Sequence, residues 1–319
     1  PAIWIITILI GLSAGALLGG FHGYLIAYAG IPSFIVTLGG LIVWRGAAWA
    51  IIRGETVAPM DETFELLGGG PLDASIKATG SWILGLIVCV VIVLALYLGR
   101  KSRQKFNFPS RPMWAEVFLG LVGCGITLGT VLLVNSYYFP PKLANEYAER
   151  YHIPIPEDGF LLSKGFAIPV LIAAATAIVM TFIATRTRFG RYVYAIGGNP
   201  EAAELAGINT KRITLIMFSI MGVLAAISAC ISSARLNAAS NALGQFDELY
   251  VIAATVIGGT SLAGGVGTIY GAILGALVMQ SLQSGMTLLN FDSAYKDMAV
   301  GSVLVFAVWL DQIYRRRAN

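Results

Sequence analysis

Long apolar stretches recur along this chain, separated by short polar segments. Each of nine stretches approaches the roughly 20 residues that an α-helix needs to cross the hydrocarbon core of a bilayer. They cover residues 3–28, 33–53, 81–99, 114–138, 165–185, 213–234, 249–263, 267–289 and 296–314. Backbone polar groups must pair internally in lipid, and a helix pairs them within a single segment. The pattern therefore predicts an all-α, polytopic transmembrane helical bundle of about nine crossings.

The composition agrees with a membrane protein. Hydrophobic residues make up 57% of the 319 residues, charged residues make up 12%, and the mean hydropathy is +0.77. A soluble fold of this composition would leave too much apolar surface in water. The three cysteines, Cys89, Cys124 and Cys230, lie inside apolar stretches. Their placement indicates helix packing and neither a disulfide framework nor a metal site.

The distribution of Lys and Arg predicts the orientation in the membrane, because cytoplasmic loops are enriched in these residues. Three basic segments fall on the same side of the predicted bundle. Their residues are Arg100, Lys101, Arg103, Lys105 and Arg111, then Arg186, Arg188, Arg191, Lys211 and Arg212, then Arg315, Arg316 and Arg317. We assign this side, with the C-terminus, to the cytoplasm.

The connections 55–80 and 139–165 lie on the opposite side and are predicted to be outer loops. The first is strongly acidic, and the second contains four prolines that stiffen its backbone. Two interpretations remain open for them: solvated connectors, or the seat of an extracytoplasmic partner.

Counting the crossings back from a cytoplasmic C-terminus places Pro1 outside, and the chain does not begin with Met. We therefore expect residues 1–319 to be one transmembrane domain that lacks an odd number of N-terminal crossings.

The polar segment 186–212 contains a short helix whose two ends are marked in the sequence. Asn199 is a good N-cap, Pro200 suits the first helical position, and Gly207 supplies a left-handed stop. A helix this short is not stable alone in water. We expect the protein to hold it and to offer its small apolar face to a cleft in a soluble partner. This capped segment consists of Asn199, Pro200, Glu201, Ala202, Ala203, Glu204, Leu205, Ala206 and Gly207.

A glycine-rich loop, residues 258–267, interrupts the apolar pattern further along the chain. Each glycine lowers helix stability by about 1 kcal/mol relative to Ala, so a regular helix is not expected here. One interpretation is a broken helix beside a translocation path, with Thr260 and Ser261 supplying hydroxyls. The other is a tight cytoplasmic turn between two closely packed helices. The motif residues are Gly258, Gly259, Thr260, Ser261, Gly264, Gly265 and Gly267.

The chain resembles the sugar-import permeases of the ATP-binding-cassette (ABC) superfamily, of the ribose/xylose type. The resemblance is specific in two segments, GRYVYAIGGNPEAAELAGIN at 190–209 and ELYVIAATVIGGTSLAGGVGTIYGAILGAL at 248–277. Residues 31–39, IPSFIVTLG, also resemble the early helix start of that family. The pair of crossings around the basic loop 100–114 is most similar to the xylose permease branch. The resemblance covers essentially the whole chain, which departs from the family in lacking its first helices.

This resemblance implies a permease of about ten crossings that pairs with a second copy to form a homodimer in the lipid bilayer of the bacterial inner membrane. It implies two further partners, a cytoplasmic ATP-binding subunit and a periplasmic sugar-binding protein, and no nucleic acid. The capped segment would be the coupling helix that docks on the ATP-binding subunit. No catalytic residue, cofactor or metal site follows from the resemblance.

Two features of the residues themselves favour an external energy source. The chain has no GxxxxGK[ST] phosphate-binding motif, so another subunit must bind ATP. Its 17 acidic residues lie in loops or near the ends of predicted crossings. No carboxylate is thereby placed within the membrane to bind Na⁺ or relay protons, which disfavours an ion-coupled carrier.

The candidate sugar path consists of neutral polar and aromatic side chains in or near the crossings. Such groups also bond neighbouring helices or lie at the lipid interface, and that alternative stays open. The candidates are Ser33, Thr37, Trp44, Asn237, Gln280 and Gln283. The function predicted is import of a pentose, D-xylose first, by alternating access. The alternatives are a permease of the same type for ribose, an autoinducer or a branched-chain amino acid, and a secondary carrier or channel.

Overall fold

The computed structural model describes residues 3–106, 112–154 and 160–318. Within these ranges the secondary structure is helical, with three isolated β-bridges and no strand. The helices are α1 (Ile3–Ala27), α2 (Ser33–Ile52), α3 (Glu62–Glu65), α4 (Lys77–Lys105), α5 (Met113–Asn135), α6 (Pro141–Arg150), α7 (Ile168–Arg186), α8 (Arg188–Gly198), α9 (Pro200–Leu205), α10 (Thr210–Leu236), α11 (Asp247–Ile257), α12 (Ile269–Leu288) and α13 (Ser293–Ala318). Short 3₁₀ turns occupy Leu66–Gly68 and Leu72–Ala74. The all-α prediction is confirmed.

Six of the described helices are long and apolar enough to cross a membrane: α1, α2, α4, α5, α7 and α10. Each coincides with a predicted crossing to within a few residues at either end. The crossings predicted at 267–289 and 296–314 correspond to α12 and α13, which are helices but are not among the six.

The crossing predicted over 249–263 is wrong in its extent. Helix α11 ends at Ile257 after 11 residues, which is about 16 Å at 1.5 Å per residue and roughly half of a hydrocarbon core. The break follows from glycine, because Gly259 has φ +84°, a conformation that residues with a side chain rarely adopt. The chain stays irregular until α12 begins at Ile269.

Two helices lie in segments that the sequence indicated as loops. Helix α6 starts with Pro141 at its first position in the second predicted outer loop, and α8 immediately precedes the capped segment. Helix α4 is also longer than predicted, so that four of the predicted loop bases lie on its last turns: Arg100, Lys101, Arg103 and Lys105. Arg111, Pro1 and the side chains of Arg315, Arg316 and Arg317 lie outside the described part of the molecule.

The helices form two compact units, residues 1–61 with 172–319, and residues 62–171. In the first unit, α1 packs against α10 through glycines. A Cβ built on Gly23 would lie 2.9 Å from the Cα of Leu215, and one on Gly11 would lie 3.7 Å from the sulfur of Cys230. Residue numbers rise along α1 as they fall along α10, so the two helices are antiparallel. Small residues allow such close backbone approach in membrane bundles.

The same unit contains a second packed group formed by α11, α12 and α13. Its buried side chains are Ala253, Ala254, Met279 and Val300. The hydroxyl of Tyr250 on α11 donates to a carboxylate oxygen of Asp297 on α13 at 3.2 Å. Helix α11 is therefore held laterally by two neighbours despite its short length.

The C-terminal ends of α2 and α10 lie at the same end of the first unit. Val57 and Ala239 exchange two backbone hydrogen bonds of 2.9 Å. Asn237 closes α10 in the left-handed conformation, φ +49°, and its side-chain oxygen accepts from the backbone nitrogen of Met60 at 2.7 Å. This pairing agrees with the predicted topology, in which both helices end on the outer side.

The second unit contains the antiparallel pair α4 and α5, joined near the basic end by Arg100 and Glu116 at 2.8 Å. At its other end, residues 62–76, 137–154 and 160–167 fold into a cap. Fully buried Ser81 donates to the carbonyl of Lys77 at 2.7 Å and accepts from the nitrogen of Phe166 at 3.0 Å. The described parts of the two predicted outer loops are therefore folded against each other within this unit, in contrast to simple connectors.

Charged and aromatic side chains reinforce this cap. The ammonium of Lys77 lies 3.3 Å from Asp73 and 3.8 Å from the ring centroid of Tyr147 on α6. Arg150, at the end of α6, reaches the other oxygen of Asp73 at 3.2 Å. Ala144 and Ala148, on the inner face of α6, are fully buried. These contacts fix α6 on the body of its unit.

Candidate functional site

The capped segment has the ends that its sequence predicts. The side-chain oxygen of Asn199 accepts from the backbone nitrogen of Ala202 at 3.0 Å, and Pro200 occupies the first helical position. Gly207 has φ +82°, and the nitrogen of Ile208 donates back to the carbonyl of Ala203 at 3.1 Å. These bonds satisfy backbone groups that a two-turn helix would leave unpaired. The predicted N-cap and left-handed stop are confirmed.

Burial shows how the capped segment is held. Ala203 is only 4% exposed and is its buried anchor, while Leu205 is 90% exposed. The other members are exposed: Asn199, Pro200, Glu201, Ala202, Glu204, Ala206 and Gly207. An apolar side chain standing free at the tip of a capped helix is available for contact with another molecule.

Helix α8 leads directly into this segment and is amphipathic. Thr187 caps its start by accepting from the nitrogen of Gly190 at 3.3 Å. Arg188, Arg191 and Tyr192 are exposed, while Val193 is half-buried. The ion pairs found among the described residues include neither arginine. A basic amphipathic helix of this kind is typical of the membrane interface.

The inner face of α8 contacts the glycine-rich loop. The hydroxyl of Tyr194 donates to the carbonyl of Gly267 at 2.8 Å. One turn later, a Cβ built on Gly197 would lie 2.5 Å from the backbone nitrogen of Gly265. Only glycine permits this approach, since a real Cβ essentially never comes so close to another heavy atom. The loop thus lies directly against the helix that carries the capped segment.

The glycine-rich loop has features of both predicted interpretations. It follows a half-length helix, as a broken helix would, and it also joins two helices in close contact, because the backbones of Gly258 and Gly271 touch. The nitrogen of Ser261 donates to the carbonyl of Val266 at 2.9 Å, and that of Thr260 to the carbonyl of Thr255 at 2.9 Å. Its place beside a translocation path stays a prediction.

A cavity of about 550 Å³ lies among α7, α8, α10 and the glycine-rich loop. Its lining is mainly apolar, with Ile183, Val193, Met217 and Met221 as typical members. Thr260 and Ser261 line the same space, as do Gly264, Gly265 and Gly267. The loop and α8 therefore share one border of this cavity.

The candidate path residues on α2 bond to near neighbours. The hydroxyl of Thr37 donates to the carbonyl of Ser33 at 2.9 Å. The indole of Trp44 donates to Nε2 of His22 on α1 at 2.9 Å, which leaves the proton of a neutral His22 on Nδ1. The Trp44–His22 bond joins two neighbouring helices, which is the alternative role considered above for such polar groups.

The remaining path candidates lie elsewhere in the same unit. Asn237 caps α10 and bonds Met60, as described above. On α12, the amide of Gln280 donates to the hydroxyl of Ser284 at 3.4 Å, and Gln283 is half-buried. None of the six candidates lines the cavity. The structure does not gather them into a common site, and their role in a path stays a prediction.

Sequence reasoning missed the contact between α8 and the glycine-rich loop. Its signal was present, because Tyr194 and Gly197 are three residues apart and so lie on one face of a helix. Their partner, however, is about 70 residues further along the chain. Tertiary structure was needed to join the two motifs.

The chain matches the family model described as branched-chain amino acid transport system / permease component over residues 110–308. The xylose transport system permease protein of Escherichia coli is 38% identical over 313 residues, covering 98% of this chain and 72% of that protein. The corresponding Haemophilus influenzae protein is 36% identical over 312 residues, 98% of this chain and 75% of the relative. The ribose import permease protein of Bacillus subtilis is 38% identical over 312 residues, covering 93% of this chain and 92% of that protein. No solved structure matches the chain significantly.

Proposed function

The chain belongs to the permease family of ABC-type importers, on the branch of the xylose and ribose permeases, and we propose that it carries a pentose, with D-xylose as the first candidate. It is the membrane-spanning permease component of a sugar importer in a bacterial inner membrane. It is not an enzyme, because ATP hydrolysis belongs to a separate ATP-binding subunit. The choice of xylose is supported by xylose permeases that match nearly the whole chain.

The proposed mechanism is alternating access driven through the capped segment, which acts as the coupling helix. The observation that carries this proposal is the free Leu205 side chain, 90% exposed on a helix capped at both ends and anchored by Ala203. Closure of two ATP-binding subunits draws two capped segments together and biases the permease towards one of its two states. The permease contributes a difference in binding between those states and performs no bond chemistry.

The family implies two partners, an ATP-binding subunit and a substrate-binding protein. We further propose a second permease copy and a surrounding bilayer, because large apolar side chains stand exposed along the spans, such as Phe34 at 71% and Ile126 at 67%. The cap of the second unit is the proposed outer seat of the binding protein. The capped segment and the C-terminus then face the cytoplasm, and residues 1–319 act as one permease domain.

The docking role is tested with Leu205→Asp, measured as the affinity of the ATP-binding subunit for the permease in nanodiscs. Burying a leucine side chain contributes about 1.5–3 kcal/mol, so we expect the affinity to fall at least about tenfold. Glu201→Lys on the same segment should also weaken binding. Leu161→Asp is the matched control, because Leu161 is 69% exposed and lies in the cap. Equal binding by Leu205→Asp and the control would reject the docking role.

The sugar is tested by uptake of labelled D-xylose and D-ribose into proteoliposomes that contain the permease, its ATP-binding subunit and its binding protein. We expect ATP-dependent xylose uptake in preference to ribose. Ribose is the second candidate, because the Bacillus subtilis ribose permease matches over nearly its whole length. Preference for ribose would replace the xylose assignment. Uptake without ATP that follows an ion gradient would reject the ABC mechanism.

A further inference from the structure

The contact between α8 and the glycine-rich loop joins the capped segment to a distant pair of helices. It has two components on one face of α8, the Tyr194–Gly267 hydrogen bond of 2.8 Å and the close approach of Gly197 to Gly265. A hydrogen bond fixes distance and direction, while apposed backbones resist compression. Together they hold the loop at a fixed position relative to α8.

The capped segment continues from α8 with little freedom between them. The nitrogen of Asn199 donates to the carbonyl of Ala195 at 3.1 Å, so the residue that caps the segment also closes α8. Pro200 follows immediately and restricts the backbone at this corner. A displacement of the capped segment must therefore move the C-terminal end of α8.

Close backbone contacts and a helix cap also join the glycine-rich loop to α11 and α12, the helices on either side of it. Gly258, at the end of α11, touches the backbone of Gly271 in the first turn of α12. Thr268 caps α12 by accepting from the nitrogen of Gly271 at 3.1 Å. Further along, the backbone of Gly275 touches that of Ala254 on α11. The loop, α11 and the start of α12 consequently form one braced hairpin.

The same side of α8 also borders the cavity of about 550 Å³, through side chains such as Phe189, Val193 and Ile196. Open space offers no resistance to a shift of the helix, whereas close-packed groups transmit a displacement. In the described part of the chain, the contacts of Tyr194 and Gly197 with the loop are therefore a stiff connection between α8 and the hairpin.

We propose that Tyr194 and Gly197 are positioning residues that transmit movement of the capped segment to the α11–α12 hairpin. This proposal rests on the function proposed above, and it assigns a mechanical role to two residues outside the capped segment. Both residues are half-buried and lie outside the capped segment, so we expect the ATP-binding subunit to bind without contacting them. Their loss therefore separates ATP hydrolysis from sugar movement without releasing the subunit.

The hydroxyl is tested with Tyr194→Phe in the complete importer, reconstituted with its ATP-binding subunit and its sugar-binding protein. We expect the sugar transported per ATP, and the stimulation of ATP hydrolysis by loaded binding protein, to fall about fivefold, the factor that corresponds to one neutral hydrogen bond. Affinity for the ATP-binding subunit stays unchanged. The control is Tyr192→Phe, because Tyr192 lies on the exposed face of α8 and is 37% exposed.

The backbone approach is tested with Gly197→Ala against Gly198→Ala. Both changes remove a glycine near the end of α8 and give a similar gain in helix propensity. A Cβ at Gly197 meets the nitrogen of Gly265 at 2.5 Å, while one at Gly198 meets nothing within 4 Å. We expect reduced coupling for Gly197→Ala alone, with thermal unfolding recorded to confirm that each variant is folded. Should Gly197→Ala not fold, Tyr194→Phe decides the proposal.

The outcomes separate this inference from the function proposed above. A wild-type importer in which loaded binding protein never stimulates ATP hydrolysis contradicts the proposed function. If the wild-type importer couples normally and Tyr194→Phe transports as much sugar per ATP as Tyr192→Phe, the proposed linkage is overturned. The proposed function is then unaffected. Loss of subunit binding in Tyr194→Phe would assign Tyr194 to docking and also overturn the linkage.

Discussion

A single alanine and a single asparagine decide whether the capped segment is presented as a helix. Ala203 anchors it against the body, and Asn199 pairs a backbone nitrogen at its start. Six helical residues supply too few internal hydrogen bonds to be stable without these two contacts. The exposed Leu205 is therefore positioned by residues that need not touch the partner themselves.

Replacement of the N-cap residue Asn199 should weaken docking of the ATP-binding subunit without changing the surface that docks. Asn199→Ala removes the acceptor for the Ala202 nitrogen and costs about 1 kcal/mol of helix stability. We expect the affinity of the ATP-binding subunit to fall about fivefold in nanodisc binding measurements. Asn199→Asp keeps an acceptor at the N-cap and should retain wild-type affinity. A fivefold loss in both variants would indicate direct contact by the asparagine amide.

Ser81 has the corresponding role in the cap of the second unit. It is fully buried, and Ser81→Ala leaves the Phe166 nitrogen without its acceptor. An unsatisfied buried donor costs about 1–3 kcal/mol. We expect faster proteolysis between residues 139 and 165 in detergent solution. Ser136→Ala is the control, since Ser136 is exposed and bonds only within its own helix end. Equal cleavage rates would show that Ser81 does not hold the cap.

The local chemistry of the candidate site could be predicted from sequence, but its tertiary contacts could not. Asn199, Pro200 and Gly207 act within a few residues of themselves, so their order in the chain was sufficient to identify them. The partner of Tyr194 is Gly267, and burial of Ala203 depends on neighbouring helices. These tertiary contacts can be known only from the fold, because helix periodicity shows which residues share a face but not which residues that face contacts.

At the scale of elements, glycines set the closest helix contacts. Gly222 on α10 meets Gly15 and Gly19 on α1, and a Cβ at Gly222 would lie 3.2 Å from the Cα of Gly19 and closer still to the backbone of Gly15. The two helices can approach this closely only while these positions lack side chains.

Gly222→Ala should therefore separate α1 from α10. Overpacking of this kind costs about 1–3 kcal/mol, and we expect a lower apparent unfolding temperature in detergent. Gly39→Ala on α2 is the control, because a Cβ there meets nothing within 4 Å. That variant should unfold at or above the wild-type temperature, since alanine favours the helix. Equal temperatures for the two variants would contradict glycine-dependent packing.

The predictability of the elements followed the strength of their apolar pattern. The six long spans were correctly located, because an uninterrupted apolar run of about 20 residues has few structural alternatives. The crossing that corresponds to α11 was predicted too long, because its bounds were drawn from hydropathy and ran into the glycine-rich loop, where a regular helix was not expected. Helices α6 and α8 were missed, since polar amphipathic helices resemble loops when only hydropathy is considered.

For the whole permease, helix α10 fixes which features of the first unit must lie on opposite sides of the membrane. It runs for 27 residues between the capped segment and the pairing of Ala239 with Val57. At 1.5 Å per residue this is about 40 Å, more than the hydrocarbon core of about 30 Å. The capped segment and the α2–α10 end therefore cannot share a side.

Cysteine labelling tests which side is cytoplasmic. The reporters are Ala206→Cys and Ser240→Cys, both at exposed positions, in a chain whose Cys89, Cys124 and Cys230 are first replaced by Ser. Ala203 is unsuitable, because it is buried. In intact cells, a membrane-impermeant maleimide should label Ser240→Cys alone, and it should label Ala206→Cys only after the membrane is opened. The basic residues around the capped segment support this orientation through the positive-inside rule. Labelling of Ala206→Cys in intact cells would place the segment outside, where no ATP-binding subunit can reach it, and the coupling mechanism would be rejected.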